Sequence, residues 1–254
     1  MADEVYQENI YNSSKPFVSA RAALASMDDQ HYKDKAEIIS FHTTSKGYLG
    51  ENFILYMYTC MKNMWHSYLI CTSNTGECGL RGGYMELHNI DSDVVDMIYK
   101  MSSINLCSNI LGSITVGMMV NPPKPGDASY ELYNQEKNGI LDSLKRRARK
   151  MTDAFNSLEN VTCQETDGAM YSFPQIVLPP KAMAAAEKAG KEGDVFYCLE
   201  LLNETGLSCV PGSGFQQVPG TFHLRTTILP SENDFDTIVG KFISFHKGFM
   251  KRYA

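Results

Sequence analysis

A chain of 254 residues, 43% of them apolar, has room for one large or two ordinary domains, each with a hydrophobic core. Nineteen glycines and ten prolines without a short period exclude collagen, coiled coil and a disordered tail. A formal charge of -6 argues against a nucleic-acid partner, which calls for a basic footprint, and seven cysteines with no C-x-x-C pair suit free thiols in a reducing compartment.

Met1-Ala2-Asp3-Glu4-Val5-Tyr6 has no basic region, apolar run or small-residue cleavage site, so no signal peptide is expected. Residues 37–43 form a short β-branched and apolar run ending in Thr43-Thr44-Ser45, which reads as a strand entering a loop. Residues 52–77 differ in composition from the rest. They hold the single tryptophan, Trp65, with Cys60, Cys71 and many Met, Tyr, Ile and Leu. Residues 53–71 approach the length of a membrane span, but Lys62, Asn63 and His66 near the middle argue against one. His66 and Cys71 have no companions at metal-ligand spacing, and no metal site is expected. Residues 80–87 cross Gly82-Gly83, a mark of a bend or a close backbone approach.

Residues 91–111 read as one helix from the spacing of Val94, Val95, Ile98 and Met101. Asn121-Pro122-Pro123-Lys124-Pro125-Gly126-Asp127 is then the best candidate for a domain boundary, giving domains 1–124 and 125–254. Residues 129–158 read as a long amphipathic helix through Leu144, Ala148, Met151 and Phe155. Its basic cluster of Lys145, Arg146, Arg147, Arg149 and Lys150 reads as a solvated face. Strands near 171–177, 207–210 and 222–229 alternate with helices at 181–188, 194–205 and 232–252, an α/β or α+β pattern. Lys251-Arg252-Tyr253-Ala254 is neither a retention nor a peroxisomal signal, and the cytoplasm is the expected compartment.

The chain has no serine elbow, no Walker loop and no G-x-G-x-x-G after a strand, which argues against a serine hydrolase and the common nucleotide binders. What stands out is Lys46 in Thr43-Thr44-Ser45-Lys46-Gly47-Tyr48. Hydroxyls at this spacing can hold a phosphate while a desolvated amine attacks a carbonyl; an ordinary loop lysine is the competing reading.

Five ordered motifs decide between them. Ala2-Asp3-Glu4-Val5-Tyr6-Gln7 comes first, then Ser45-Lys46-Gly47-Tyr48-Leu49-Gly50-Glu51 joined across residues 52–77 to Cys78-Gly79-Leu80-Arg81-Gly82-Gly83-Tyr84. Gly168-Ala169-Met170-Tyr171-Ser172-Phe173-Pro174, Val210-Pro211-Gly212-Ser213-Gly214-Phe215 and His223-Leu224-Arg225 follow. Together they resemble the C-terminal half of the alanine aminotransferases, pyridoxal 5'-phosphate enzymes of aminotransferase class I/II. The resemblance implies an α/β fold of fold type I: part of a large domain with a mainly parallel sheet, then a smaller α+β domain.

It also implies roles. Lys46 holds the cofactor covalently and moves the substrate's Cα proton. Asp3 pairs with the cofactor's ring nitrogen, Tyr6 hydrogen-bonds its phenolic oxygen, and Arg81, with Thr43 and Ser45, holds its phosphate. Arg225 takes the substrate's α-carboxylate as a bidentate clamp. The implied reaction passes an amino group from alanine to 2-oxoglutarate in two half-reactions. Small amino acids and 2-oxo acids are its partners, and a homodimer is the family's assembly. Glutamate:glyoxylate aminotransferase is the alternative enzyme, and a truncated chain without catalysis the alternative outside enzymes. Two departures from the family stand beside this. The segment that normally precedes Asp3 is absent, and residues 52–77 read as an insert, which an intron carried into the coding sequence would explain.

Overall fold

The computed structural model describes residues 1–47 and 78–254, so the expectations for the 52–77 insert lie outside the described residues. Met1–Leu141 and Asp142–Ala254 form separate units, with the division falling inside a helix and the proline-rich segment 121–127 lying in the first unit.

The first unit runs β1 (Ala2–Asp3), α1 (Ala20–Ser26), α2 (Gln30–Lys35), β2 (Ile38–Thr43), a 3-10 turn (Cys78–Leu80), β3 (Gly83–His88), α3 (Ser92–Ser103), α4 (Ile110–Val120) and the start of α5 (Tyr130–Asn156). Its sheet has the order β1-β2-β3. β1 lies parallel to β2, with Ala2 opposite Ser40 and Asp3 opposite Phe41. β3 lies antiparallel to β2 from Ile38–His88 to Thr43–Gly83, so the sheet expected to be mainly parallel has one pairing of each kind among the described residues.

Helix 91–111 of the sequence reading is two helices. Asn109 begins α4, its side-chain oxygen accepting from Leu111 N at 3.1 Å and its amide donating to Leu80 O at 2.9 Å. Leu106 adopts a left-handed φ of 62° between the two helices. Local side-chain to backbone bonds override an apolar pattern that runs on unbroken. The short helices α1 and α2 were not expected; Ser19 and Asp29 cap them, accepting from Ala22 N and His31 N.

The second unit adds β4 (Val161–Thr162), β5 (Tyr171–Ser172), β6 (Gln175–Ile176), α6 (Pro180–Lys188), α7 (Gly193–Thr205), β7 (Val210–Pro211), a 3-10 turn (Gly212–Phe215), β8 (Phe222–Thr227) and α8 (Glu232–Arg252). The sheet order is β4-β6-β8-β5, with β7 also on β8. The strand expected at 171–177 is therefore β5 and β6 in one register on β8. Leu224 N donates to Pro174 O at 3.2 Å, but Pro174 has no N–H to return the bond, and the ladder lapses there.

The core lies against α5 and α8. Leu144, Ala148, Met151 and Phe155 of α5 and Phe235, Val239, Phe242 and Phe249 of α8 recur at helical spacing and are buried. Phe155 meets Phe242 edge-on at 5.0 Å, and Tyr197 meets Phe249 at 4.9 Å. Each such ring adds roughly 1.5–3 kcal/mol over leaving it in water.

Candidate active site

Parallel pairing sends the C-terminal ends of β1 and β2 to the same edge of the sheet, where ligands of α/β sheets bind. Asp3 ends β1 and Thr43 ends β2. Beyond these ends the chain folds back: Glu4 N donates to Phe41 O at 3.1 Å and Asn9 N to Tyr6 O at 3.0 Å. As a result the Lys46 Nζ stands 5.7 Å from the centre of the Tyr6 ring, although forty residues separate the two in sequence. Both are half-buried, while Asp3 is exposed at the end of its strand.

The Thr43-Thr44 corner is anchored to Gly82. Thr43 Oγ1 and Thr44 Oγ1 donate to Gly82 O at 2.9 and 3.1 Å, as does Thr44 N at 3.0 Å. Thr43 Oγ1 also accepts from Ser45 N at 3.2 Å. The Thr43 hydroxyl thus spends its one proton on the backbone and has none to offer a phosphate in this arrangement. Only glycine fits at 82: a Cβ there would stand 2.5 Å from Gly112 O, because α4 crosses the chain at that point. Arg81, next to this anchor, is exposed and holds a left-handed φ of 53°, a conformation costing an ordinary residue about 1–2 kcal/mol.

A cleft of about 240 Å³ opens beside Lys46, its walls including Gln7, Glu8, His42, Tyr84 and Met119. The resemblance assigns no role to these residues, although Gln7 and Tyr84 lie within its motifs. His42 Nδ1 accepts from Thr43 N at 2.7 Å and its ring stacks on Tyr84 at 5.8 Å, leaving the other ring nitrogen to act as donor. Glu8 is paired with Lys137 at 2.8 Å.

The seventh expected site residue, Arg225, belongs to the second unit, on β8 opposite Val210. Its guanidinium carbon lies 4.8 Å from the ring centres of both Tyr171 and Phe215. No carboxylate pairs with Arg225 among the described residues. Phe215 is met edge-on by Phe173 at 5.6 Å, and Phe173 stacks flat on His223 at 4.9 Å. Burial pushes the His223 pKa down, while the charge of Asp194 pulls it up. Burial holds Cys198 as a thiol with its pKa pushed up to about 12 and also raises Cys209, so neither is a nucleophile near neutral pH.

Comparison with known proteins supplies what geometry does not. Glutamate--glyoxylate aminotransferase 2 of Arabidopsis thaliana is 51% identical over all 254 residues, and alanine aminotransferase 2 of Panicum miliaceum 47% identical over 253. The chain is a homologue of these aminotransferases. It spans 47% of the length of each. No family model matches. Among solved structures, alanine aminotransferase from Pyrococcus furiosus superposes with a TM-score of 0.66 at 20% identity, covering 97% of this chain and 48% of that one. The aspartate aminotransferase from Rhizobium meliloti gives 0.64 at 16% identity, covering 96% and 48%. The homologue therefore has part of the α/β fold of fold-type I aminotransferases. Among its described residues no helix is long and apolar enough to cross a membrane.

Proposed function

We propose that this chain is the part of an aminotransferase that carries the cofactor lysine and the substrate-carboxylate arginine. The protein it belongs to would pass an amino group between alanine, or glutamate, and a 2-oxo acid. The meeting of Lys46 and Tyr6 where two parallel strands end carries the reading, together with relatives whose names state this activity. In this reading residues 1–124 close the large domain and 125–254 form the small one. The assembly is a homodimer, and the compartment is cytoplasmic.

The donor set suits pyridoxal 5'-phosphate: an amine and a phenol at one strand edge, with a carboxylate and an arginine on the segments that the edge collects. The cofactor supplies, when bound, an electrophilic carbonyl and a ring that withdraws electrons from Cα. Lys46 would anchor it and would hold and deliver the Cα proton. Tyr6 would donate from its phenol toward the ring oxygen and Asp3 would supply a negative charge to the ring nitrogen. Arg81 and Ser45 would take the phosphate, with Thr43 supporting them by fixing the corner to Gly82. Arg225 offers its edge N–H groups to a carboxylate while the aromatic rings hold its plane.

Incubating the chain with pyridoxal 5'-phosphate, then reducing with borohydride and mapping the modified peptide, tests the reading. Label on Lys46 in the native protein and its loss in Lys46→Ala is the expected result. Equal labelling in both proteins, or none in either, would sink it.

A further inference from the structure

Asp194 opens α7 and is 3% exposed, a buried acid that the roles above leave unused. Its Oδ2 accepts from Ser213 N at 2.6 Å and from Gln217 Nε2 at 2.8 Å, and its Oδ1 accepts from Val195 N at 2.8 Å. Ser213 lies within the 3-10 turn that carries Phe215. One carboxylate oxygen therefore pins both the turn and the residue two places beyond Phe215.

The chemistry of the partners then fixes an order. A carboxylate only accepts, so Gln217 must present its NH2 to Asp194 and its carbonyl to the other side. On that side His223 Nδ1 stands 2.9 Å from Gln217 Oε1. A carbonyl only accepts as well, so Nδ1 carries the proton and Nε2 is left as the acceptor. The ring so oriented stacks on Phe173, Phe173 meets Phe215, and Phe215 lies against the Arg225 guanidinium. Gly212 shows how tightly this corner is closed, since a Cβ there would stand 2.2 Å from Gln217 Oε1 and 2.9 Å from His223 O.

We propose that Asp194 is the positioning residue of the Arg225 carboxylate clamp, holding the Gly212–Phe215 turn and the His223 tautomer that together seat Phe215 against the guanidinium. The inference rests on the reading that Arg225 receives the substrate carboxylate. Asp194 touches neither substrate nor cofactor; it acts through Ser213, Gln217 and Phe215.

The test uses the full chain labelled with nitrogen-15. In the native protein, His223 should show the Nδ1–H tautomer, and the Arg225 Nε–H resonance should be displaced by the Phe215 ring, as confirmed by its return in Phe215→Leu. Asp194→Ala should abolish both signatures, since it removes the one oxygen that accepts from both Ser213 N and Gln217 Nε2. Gln217→Leu keeps the bond from Ser213 and serves if Asp194→Ala fails to fold. It should lose the His223 signature alone. An unchanged His223 tautomer in Gln217→Leu, or both signatures intact in Asp194→Ala, would overturn the proposal.

A separate titration with 2-oxoglutarate, followed by calorimetry, tests the reading beneath it. Arg225→Lys should lose binding, and Asp194→Ala should weaken it roughly tenfold, as a misplaced clamp does. If native protein and Arg225→Lys behave alike, the clamp reading fails while the resonance experiment still judges Asp194. If Arg225→Lys loses binding and Asp194→Ala does not, the clamp stands and the positioning role falls.

Discussion

The two units differ in how they are held. Among the described residues, twenty-two hydrophobic side chains of the second unit are buried and three of the first: Tyr11, Leu24 and Leu80. In α3 the apolar Val94, Met97, Tyr99 and Met101 are all exposed, and no residue of that helix is buried. α3 has a cap at Asp91 and a helical pattern, but no core to bury it in among the described residues, whereas α8, with the same kind of pattern, lies in a cluster of aromatic rings. Patterning makes a helix possible, and packing supplies most of its stability. The first unit holds its candidate site by backbone bonds at the Gly82 corner, the second by a packed core beneath β8.

Phe249→Ala should sharpen the contrast most. Phe249 is fully buried against Tyr197, Phe245 and Tyr253, and its loss should remove about 3–5 kcal/mol of unfolding free energy. Urea unfolding measures the loss, and hydrogen exchange should place it in α7 and α8 with β1–β3 unaffected. A loss spread evenly over both units would break the contrast. Gly82→Ala is next, at about 1–3 kcal/mol, because the new methyl meets backbone that cannot turn aside. Here protection should fall in β2 and β3 while α8 keeps its own.

A smaller effect depends on pH. His246 is buried, with Nδ1 2.9 Å from the Tyr197 hydroxyl and Nε2 2.8 Å from Glu159 O, so Nε2 carries the proton and Nδ1 accepts. Burial lowers its pKa below the ordinary 6.5, outweighing the upward pull of Glu159. The unfolded chain then binds a proton more readily than the folded one. The contribution is complete above about 6.5 and is lost as the pH falls through the lowered folded value. Unfolding free energies of the second unit should decline over that interval, and His246→Leu should flatten the slope whatever it does to the total. The smallest change expected is Ile104→Ser, since that side chain is 80% exposed between α3 and α4. Thermal unfolding should register a shift within about 0.5 kcal/mol, and a loss like that of Phe249→Ala would show a core in the first unit after all.

Local signals account for what could be read without coordinates. Helices α5 and α8 follow from the spacing of their apolar residues, and the left-handed Gly206, with φ of 77°, ends α7 where the residue type suggests a stop. The break between α3 and α4 was not legible, because Ile104, Leu106 and Ile110 continue the apolar pattern through it. Nor were α1 and α2, six or seven residues each and begun only by a capping side chain. The motifs single out Lys46, Tyr6, Arg81 and Arg225 as candidates, whereas nothing local marks Asp194 or Gln217, whose contacts lie with residues distant along the chain.

Kinship with aminotransferases, the candidate lysine and arginines, and the long helices are legible in the sequence, because motif order and helical period are properties of neighbouring residues. The tertiary fold settles that Lys46 meets Tyr6, that Thr43 spends its hydroxyl on Gly82, that Arg225 lies against aromatic rings, and that among the described residues one unit has a core and the other very little. Strand pairing and burial join residues tens of positions apart, and no local pattern carries that information.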